Sequence, residues 1–147
     1  MANVLPSAVL FCCTMNEVRS PMAEGIMKRF HGRRVFVDSA GVHQGKLDPM
    51  MVEVMAEIGV DMSRHKPKTL DNLTDDSFDV AIALSPPAKD KAAEATRYMH
   101  CDLRLWTTDD PTLVEGNRDA RLAAYREVRN ALQRRILELF PRPEDDF

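Results

Sequence analysis

A short apolar run that leads through a polar loop into an amphipathic helix is the feature that most constrains this chain. Residues 8–11 (Ala-Val-Leu-Phe) are short and apolar enough to form a buried strand. Ser20 is a favourable N-cap and Pro21 suits the first helical position, so we expect a helix to begin there. Apolar residues then recur three and four apart and fall on one face of that helix: Ala23, Ile26, Met27 and Phe30. The sequence therefore predicts a strand–loop–helix unit over residues 8–30.

The loop of this unit has a cysteine at one end and an arginine at the other. Cys13 and Arg19 enclose five residues, and we call residues 13–19 the Cys13 loop. A loop between a strand and a helix directs backbone N–H groups and the positive end of the helix at one point, which suits an oxyanion. A helix N-terminus and a nearby arginine lower the pKa of a cysteine from about 8.5 to roughly 3.5–7.5. We therefore expect Cys13 to be a nucleophile, Arg19 to hold the oxyanion in its planar fork, and Ser20 to hydrogen-bond to the sulfur.

This stretch resembles the low-molecular-weight protein tyrosine phosphatase family, which also contains thioredoxin-coupled arsenate reductases. The family reads approximately V-L-F-V-C-x-G-N-x-C-R-S-P-M-A-E, and residues 9–24 here read V-L-F-C-C-T-M-N-E-V-R-S-P-M-A-E. The resemblance extends from about residue 9 to residue 140, through the segments 39–41, 59–65, 110–111 and 125–129. It implies a doubly wound α/β fold, with a four-stranded parallel sheet and helices on both faces.

The rest of the chain fits that expectation, because strand and helix patterns alternate along it. We expect further strands at 35–37, 80–84 and 99–103, and helices at 49–58, 88–97 and 118–140. Asp48 is expected to cap the second helix, Gly59 to close it, and Pro86-Pro87 to break the chain before the third helix. Alternation of this kind favours a right-handed parallel sheet, whose ligands bind beyond the carboxyl ends of the strands.

Length and composition place the chain among single-domain proteins. At 147 residues, of which 44% are hydrophobic and 29% charged, we expect one phosphatase-like domain over 1–147 with loose ends at 1–7 and 141–147. A net charge of −3 gives no electrostatic basis for binding nucleic acid or a membrane surface. The chain has no apolar run long enough for a membrane span, and residues 1–7 lack the charged start and apolar core of a signal peptide, so we expect neither. Three cysteines do not form a disulfide framework, so we expect a cytoplasmic protein, and no metal or other cofactor.

The resemblance also implies roles for individual residues. Asp110, in the Asp-Pro pair, is the expected general acid, and its neighbour Asp109 is the competing candidate. Asn16, Ser39 and His65 match positions that support the loop together with Ser20. The residues expected to surround the bound phosphate or arsenate oxyanion are Thr14, Met15, Asn16, Glu17, Val18, Arg19 and Ser20. Cys12 alternates away from Cys13 along the strand, so we expect it to be an inert core residue.

Four departures from the family pattern bear on the substrate. Met15 replaces a glycine, which would be strained if that position needs positive φ. Val18 replaces a second loop cysteine, so the disulfide known in some members cannot form. Glu17 stands where apolar residues or threonine are common, so it either points to solvent or meets a cation, such as the guanidinium of phosphoarginine. The aromatic residues that clamp a phenyl ring are missing after Asp110-Pro111 and after Gly41.

The leading prediction is a cysteine-dependent phosphatase that hydrolyses a phosphomonoester, either on a phosphorylated protein or on a small molecule, through a phosphocysteine intermediate. An arsenate reductase is the alternative. The thioredoxin-coupled branch needs two more cysteines after the third strand, and residues 84–89 (Leu-Ser-Pro-Pro-Ala-Lys) contain none. Cys13 would therefore need an external thiol such as glutathione. A phosphoarginine phosphatase and a non-catalytic oxyanion sensor also remain open.

Overall fold

Strands and helices alternate in a computed structural model of the chain, which describes residues 5–74 and 77–142. In chain order the elements are β1 (Ala8–Cys13), α1 (Arg19–His31), β2 (Phe36–Gly41), α2 (Pro49–Ala56), β3 (Val80–Ala83), α3 (Pro86–Ala95), β4 (Asp102–Leu105) and α4 (Arg118–Leu139). Two short 3-10 helices, Leu70–Asn72 and Pro111–Leu113, lie in the connections.

The four strands form one parallel sheet in the order β2-β1-β3-β4. The chain moves from β1 outward to β2 and then returns to the other side of β1 to form β3. The carboxyl end of β1 therefore lies where the strand order reverses, which is the usual ligand position in such sheets. The predicted doubly wound parallel sheet is confirmed, and the Cys13 loop leaves β1 at that end.

Hydrophobic residues pack on both faces of the sheet and give the protein two cores. All six residues of β1 are buried, and they alternate between the two cores. Phe11 and Cys13 face the core that α1, α2 and α4 cover. Leu10 and Cys12 face the core that α3 covers. Cys12 therefore points away from Cys13, as its position in the strand predicts.

Several element boundaries differ from those predicted. The third helix begins at Pro86, because Ser85 caps it by accepting a hydrogen bond from the N–H of Ala88. Its first turn accommodates both prolines, since the N–H groups there lack intrahelical partners. The fourth strand covers Asp102–Leu105 rather than 99–103. Asp48 caps α2 as predicted, and Gly59 follows the end of that helix with φ of +79°.

The predicted loose ends lie partly outside the described residues, which exclude 1–4 and 143–147. Where the lead-in is described, it is attached to the sheet. The N–H of Ser7 donates to the carboxylate of Asp79, and its carbonyl accepts from the N–H of Phe36. In the described part of the chain, no helix has the length and apolar character that crossing a membrane requires.

Candidate functional site

The Cys13 loop is held open by a second segment that runs beside it. The N–H groups of Val42, His43 and Gly45 donate to the carbonyls of Cys13, Thr14 and Met15, at 3.1, 2.9 and 3.0 Å. These carbonyls are therefore turned outward. In the described chain the N–H groups of the loop residues 15, 17 and 18 donate to no protein acceptor. The arrangement leaves a set of backbone donors available to an oxyanion.

Asn16 forms the turn of this loop. Its φ of 57° lies in the left-handed region, which asparagine tolerates better than most residues. Its side chain is fully buried, and its carbonyl oxygens are both used: Oδ1 accepts from the N–H of Lys68 at 3.1 Å, and the backbone oxygen accepts from Nε2 of His65 at 2.9 Å. Its side-chain amide donates to Ser20 at 2.8 Å and to Ser39 at 3.0 Å. The structure thus brings Asn16, Ser20, Ser39 and His65 into one network.

Ser20 lies inside α1 and does not cap it, which corrects the predicted helix start. The helix begins at Arg19 with Val18 in the capping position, and no side chain caps it. Pro21 is accordingly the third helical residue, still within the first turn. The hydroxyl of Ser20 is turned back toward the sulfur instead, with 2.9 Å between Oγ and the Sγ of Cys13. The helix start differs because the loop uses this side chain for itself.

Glu24 belongs to the same network, and sequence reasoning did not assign it a role. Ser39 donates its single hydroxyl hydrogen to Glu24 at 2.5 Å, so it accepts the bond from Asn16. Lys28 donates to the other oxygen of Glu24 at 2.6 Å. The two amide hydrogens of Asn16 are then committed to Ser39 and Ser20. Ser20 accepts from Asn16, and its own hydrogen is left to donate to the sulfur of Cys13.

Arg19 and Asp110 meet across the opening of the loop. Arg19 donates from Nη1 to the carbonyl of Thr108 at 3.0 Å, and its Nη2 lies 3.9 Å from Oδ2 of Asp110. The other carboxylate oxygen of Asp110 accepts from the N–H and the hydroxyl of Thr112, at 3.0 and 2.7 Å. Asp109 is exposed. Of the two aspartates, Asp110 is the one that lies beside Arg19. The contact between Arg19 and the carbonyl of Thr108 could not be predicted, because a backbone carbonyl has no pattern in the sequence.

Comparison with known proteins decides the family. The model of the family described as "Low molecular weight phosphotyrosine protein phosphatase" matches residues 8–145. The chain belongs to this family. Two curated relatives are the arsenate reductase of Bacillus subtilis (strain 168), 32% identical over 130 residues, and the glutaredoxin arsenate reductase of Synechocystis sp., 30% identical over 132 residues. These matches cover 88% and 89% of this chain and 92% and 94% of the relatives.

A solved structure similar to this phosphatase-family chain is described as an arsenate reductase in the phosphate binding state. It has a TM-score of 0.72 and 27% sequence identity, and the match covers 90% of this chain and 95% of that one. The fold of the family is therefore shared over nearly the whole length. That reductase binds phosphate, and the two curated relatives named above are also described as arsenate reductases.

Two of the departures from the family pattern take a defined place in the structure. Met15 does not have positive φ, so the methionine brings no strain of the kind considered above. Glu17 does not point freely to solvent, and it has no cation partner among residues 5–74 and 77–142: its Oε1 accepts from the backbone N–H of Lys46 at 2.9 Å. A Cβ on Gly45 would collide with that oxygen, so glycine leaves the space that the carboxylate occupies.

The two adjacent cysteines differ in their surroundings. Cys13 has the hydroxyl of Ser20 at 2.9 Å and the N–H of Asn16 at 3.2 Å from its sulfur. Cys12 is fully buried in the other core, and burial, with smaller contributions from Cys13 and Cys101, raises its pKa to about 12. Cys12 therefore stays protonated, which fits the predicted inert residue. Val18 is buried in the core of Cys13 and places no second thiol in the loop.

Proposed function

We propose that this protein is a phosphatase that hydrolyses phosphomonoesters with Cys13 as the nucleophile. The observation that carries the proposal is the pair of hydrogen bonds aimed at the sulfur. The N–H of Asn16 donates to it, and the hydroxyl of Ser20, which accepts from the Asn16 amide, has its own hydrogen left for the sulfur. A sulfur that receives two donors is suited to react as a thiolate.

In the proposed reaction the thiolate of Cys13 attacks phosphorus and the bond to the leaving oxygen breaks. The free N–H groups of the Cys13 loop and the guanidinium of Arg19 stabilise the negative charge on the equatorial oxygens. Asp110 delivers a proton to the leaving oxygen, a contribution worth typically 10²–10⁴ in rate. The same carboxylate then takes a proton from the water that attacks the phosphocysteine, which releases phosphate and restores the thiolate.

The surroundings of Asp110 support its proposed role as general acid and indicate which leaving groups the site can accept. Its carboxylate lies 3.9 Å from the guanidinium of Arg19, close enough to the proposed oxyanion site to serve as the acid for the leaving group. The residues directly after Asp110-Pro111 are Thr112 and Leu113, and Leu113 exposes 76% of its surface. Neither residue is aromatic, whereas the resemblance to the family's tyrosine phosphatases implies aromatic residues at these positions. The proposal is therefore made for phosphomonoesters as a class, with phosphotyrosine as one member.

Turnover of para-nitrophenyl phosphate tests the proposal. The wild-type protein is expected to hydrolyse it, Cys13→Ser to reduce turnover below detection, and Asp110→Asn to lower kcat by about 10²–10⁴-fold. Asp109→Asn serves as the matched control and is expected to retain activity within about twofold. Wild-type protein without phosphatase activity, or a Cys13→Ser variant that retains it, would overturn the proposal.

Arsenate reduction is the second candidate, and it is favoured by the relatives that carry this name at 30–32% identity. The cysteines of this chain argue against an internal relay. Cys12 lies on the opposite face of the sheet from Cys13, and Cys101 packs against that same opposite core. A reductase built on this chain would therefore use two external thiols.

In the reductase reaction the Cys13 thiolate attacks arsenic(V), and a protonated oxygen of arsenate leaves as water. An external thiol then attacks the sulfur of Cys13. The electron pair of the S–As bond leaves with arsenic as arsenite, and Cys13 is left in a mixed disulfide. A second thiol reduces this disulfide, so two thiols supply the two electrons.

Release of arsenite in the presence of glutathione tests this candidate. Thiol-dependent arsenite release without hydrolysis of para-nitrophenyl phosphate would favour the reductase. Hydrolysis without arsenite release would leave phosphatase activity as the function. Each assay is run with Cys13→Ser, which is expected to remove either activity.

A further inference from the structure

A cavity of about 520 Å³ adjoins the Cys13 loop. It lies between the loop residue Glu17, the segment 46–48, residues 49–53 of α2 and the N-terminal half of α4. Both signs of charge are present in its walls. The charge that a ligand would meet there depends on which of these groups already have partners.

The carboxylates of the cavity are all engaged. Glu17 accepts from the N–H of Lys46. Asp48 accepts from the hydroxyl of Tyr125 at 2.7 Å and from the N–H of Met50 at 2.8 Å. Glu53 is paired with Arg118. A ligand in the cavity would have to compete with an existing partner for each of these groups.

Two cations of the cavity are not engaged. Among the described residues, neither Nζ of Lys46 nor the guanidinium of Arg121 has a hydrogen-bond or ion-pair partner. Arg121 is close to Tyr125, where its positive charge opposes the rise in the pKa of that phenol caused by burial and by Asp48. Lys46 is attached through its own N–H to Glu17, so its position is tied to the Cys13 loop.

We propose that this cavity selects substrates with a second acidic group next to the phosphorylated one, and that Lys46 and Arg121 bind that group. The inference rests on the proposed phosphatase function and specifies its substrate class as acidic phosphomonoesters, such as a phosphorylated side chain flanked by glutamate. Glu17 acts as a positioning residue, because its Oε1 accepts from the backbone N–H of Lys46. The side chains of Lys46 and Arg121 attract a negatively charged group, whereas a carboxylate at residue 17 that faced the ligand would attract a cation.

Three phosphotyrosine peptides that differ only at the residues flanking the phosphotyrosine test the inference, with glutamate, glutamine or lysine at those positions. The leaving group is the same in all three, so the comparison isolates recognition. We expect kcat/KM to be about tenfold higher for the glutamate peptide than for the glutamine peptide, mainly through KM, and lowest for the lysine peptide. The preference is expected to fall as salt is raised from about 0.05 to 0.5 M, because screening weakens partly exposed charge pairs.

The variant that tests the assignment is the double substitution Lys46→Gln, Arg121→Gln. It is expected to bring the glutamate-to-glutamine ratio to about one. Lys46→Arg, Arg121→Lys keeps both charges and is expected to restore a preference for glutamate. Lys89→Gln removes one exposed lysine from α3, on the other face of the sheet, and is expected to leave the ratio unchanged.

Binding to the Cys13→Ser variant, measured by calorimetry, separates failure of this inference from failure of the proposed function. Suppose that the wild type does not hydrolyse para-nitrophenyl phosphate, but Cys13→Ser binds the glutamate peptide more tightly than the glutamine peptide. The phosphatase proposal then fails, and recognition of the acidic group stands. If hydrolysis is seen and the three peptides are used equally, the inference is wrong. A glutamate preference that survives in the Lys46→Gln, Arg121→Gln variant also overturns it.

Discussion

At the scale of single residues, the site depends on which way buried hydroxyl groups donate. The side chains of Ser20 and Ser39 each have one hydroxyl hydrogen to donate, and Ser20 is completely buried. The carboxylate of Glu24 can only accept, so it takes the hydroxyl hydrogen of Ser39, and the N–H of Lys68 on Oδ1 of Asn16 turns the Asn16 amide to donate to both serines. Glu24, the sixth residue of α1, thereby influences the nucleophile without contacting it.

Glu24→Ala is therefore expected to lower kcat for para-nitrophenyl phosphate about tenfold with little change in KM. Loss of the acceptor frees the hydrogen of Ser39 and weakens the orientation of Ser20, and bonds to charged groups contribute about 1.5–3 kcal/mol. Lys28→Ala removes the exposed ion pair but keeps the carboxylate, so a change of twofold or less is expected. Wild-type kcat in Glu24→Ala would show that Asn16 and Ser20 hold their places without it.

A second prediction at this scale concerns Cys12. Its sulfur is buried and its pKa is raised to about 12, so at pH 8 it is protonated and inaccessible. In the Cys13→Ser variant, iodoacetamide is expected to modify the partly exposed Cys101 slowly and Cys12 only after denaturation. Mass spectrometry of the digested protein measures both. Rapid labelling of Cys12 in the folded protein would contradict the assignment.

At the scale of elements, a cluster of charges fastens α4 to the end of α2. Arg129 is largely buried and donates from Nη1 to the carbonyl of Val54 and to Glu57, at 2.7 Å in both cases. Arg126 donates three further bonds to the same carboxylate, two from Nε at 3.0 Å and one from Nη2 at 2.8 Å. These hydrogen bonds lower the pKa of Glu57 from 4.5 to about 2. The eight-residue α2 is thus held by its neighbour as well as by its own cap.

Glu57→Gln is expected to lower the free energy of unfolding at pH 7 by about 1 kcal/mol, a value reduced for the partial exposure of the carboxylate. Because the folded pKa lies below the unfolded one, the contribution is fully present above pH 4.5 and disappears as the pH falls toward about 2. Urea unfolding of both proteins at several pH values measures the difference. Glu127→Gln, an exposed site on α4, is the matched control. A difference that does not shrink in acid would contradict this account.

The sequence predicted the kinds of element better than their ends. The apolar run at residue 8 and the cap at Asp48 are local signals, and both are confirmed. The start of α1 was misplaced because the Ser20 hydroxyl has a better partner in Cys13, which only the folded loop provides. The fourth strand was placed three residues early, since apolar character at Met99 reflects packing against the second core rather than a strand.

The candidate site could likewise be predicted only where its residues lie close together in the sequence. Cys13, Asn16, Arg19 and Ser20 lie within eight residues, so their spacing is visible in the sequence. The bond between Glu24 and Ser39 joins α1 to β2, and the bond between Arg19 and Thr108 spans 89 positions. Contacts of this kind depend on the sheet order and carry no local pattern.

At the scale of the whole molecule, one sheet serves two cores. Residues of β1 alternate between them, so a defect on one face is transmitted to the other through the backbone of the central strand. The single tryptophan, Trp106, packs in the core that also contains Cys13. Its fluorescence reports on the core that contains Cys13, so it can show whether a change in the other core is transmitted across the sheet.

Leu10→Ala tests this coupling, because Leu10 is fully buried in the opposite core. The substitution is expected to lower the free energy of unfolding by about 2–5 kcal/mol. The loss should appear equally in Trp106 fluorescence and in far-ultraviolet circular dichroism, as expected for one cooperative transition. Separate midpoints for the two signals would show instead that the two cores unfold independently.

The positions of the three cysteine sulfurs also determine how the protein responds to oxidation by peroxide. Peroxide converts a reactive thiolate to a sulfenic acid, which is rescued when a neighbouring thiol closes a disulfide with it. Cys12 faces the core on the opposite side of the sheet from Cys13, and Cys101 packs against that same opposite core. Val18 replaces the second loop cysteine and has no sulfur. An oxidised Cys13 has no resolving partner within its own chain, so its recovery is left to small thiols, and prolonged exposure is expected to drive it on to the irreversible sulfinic acid.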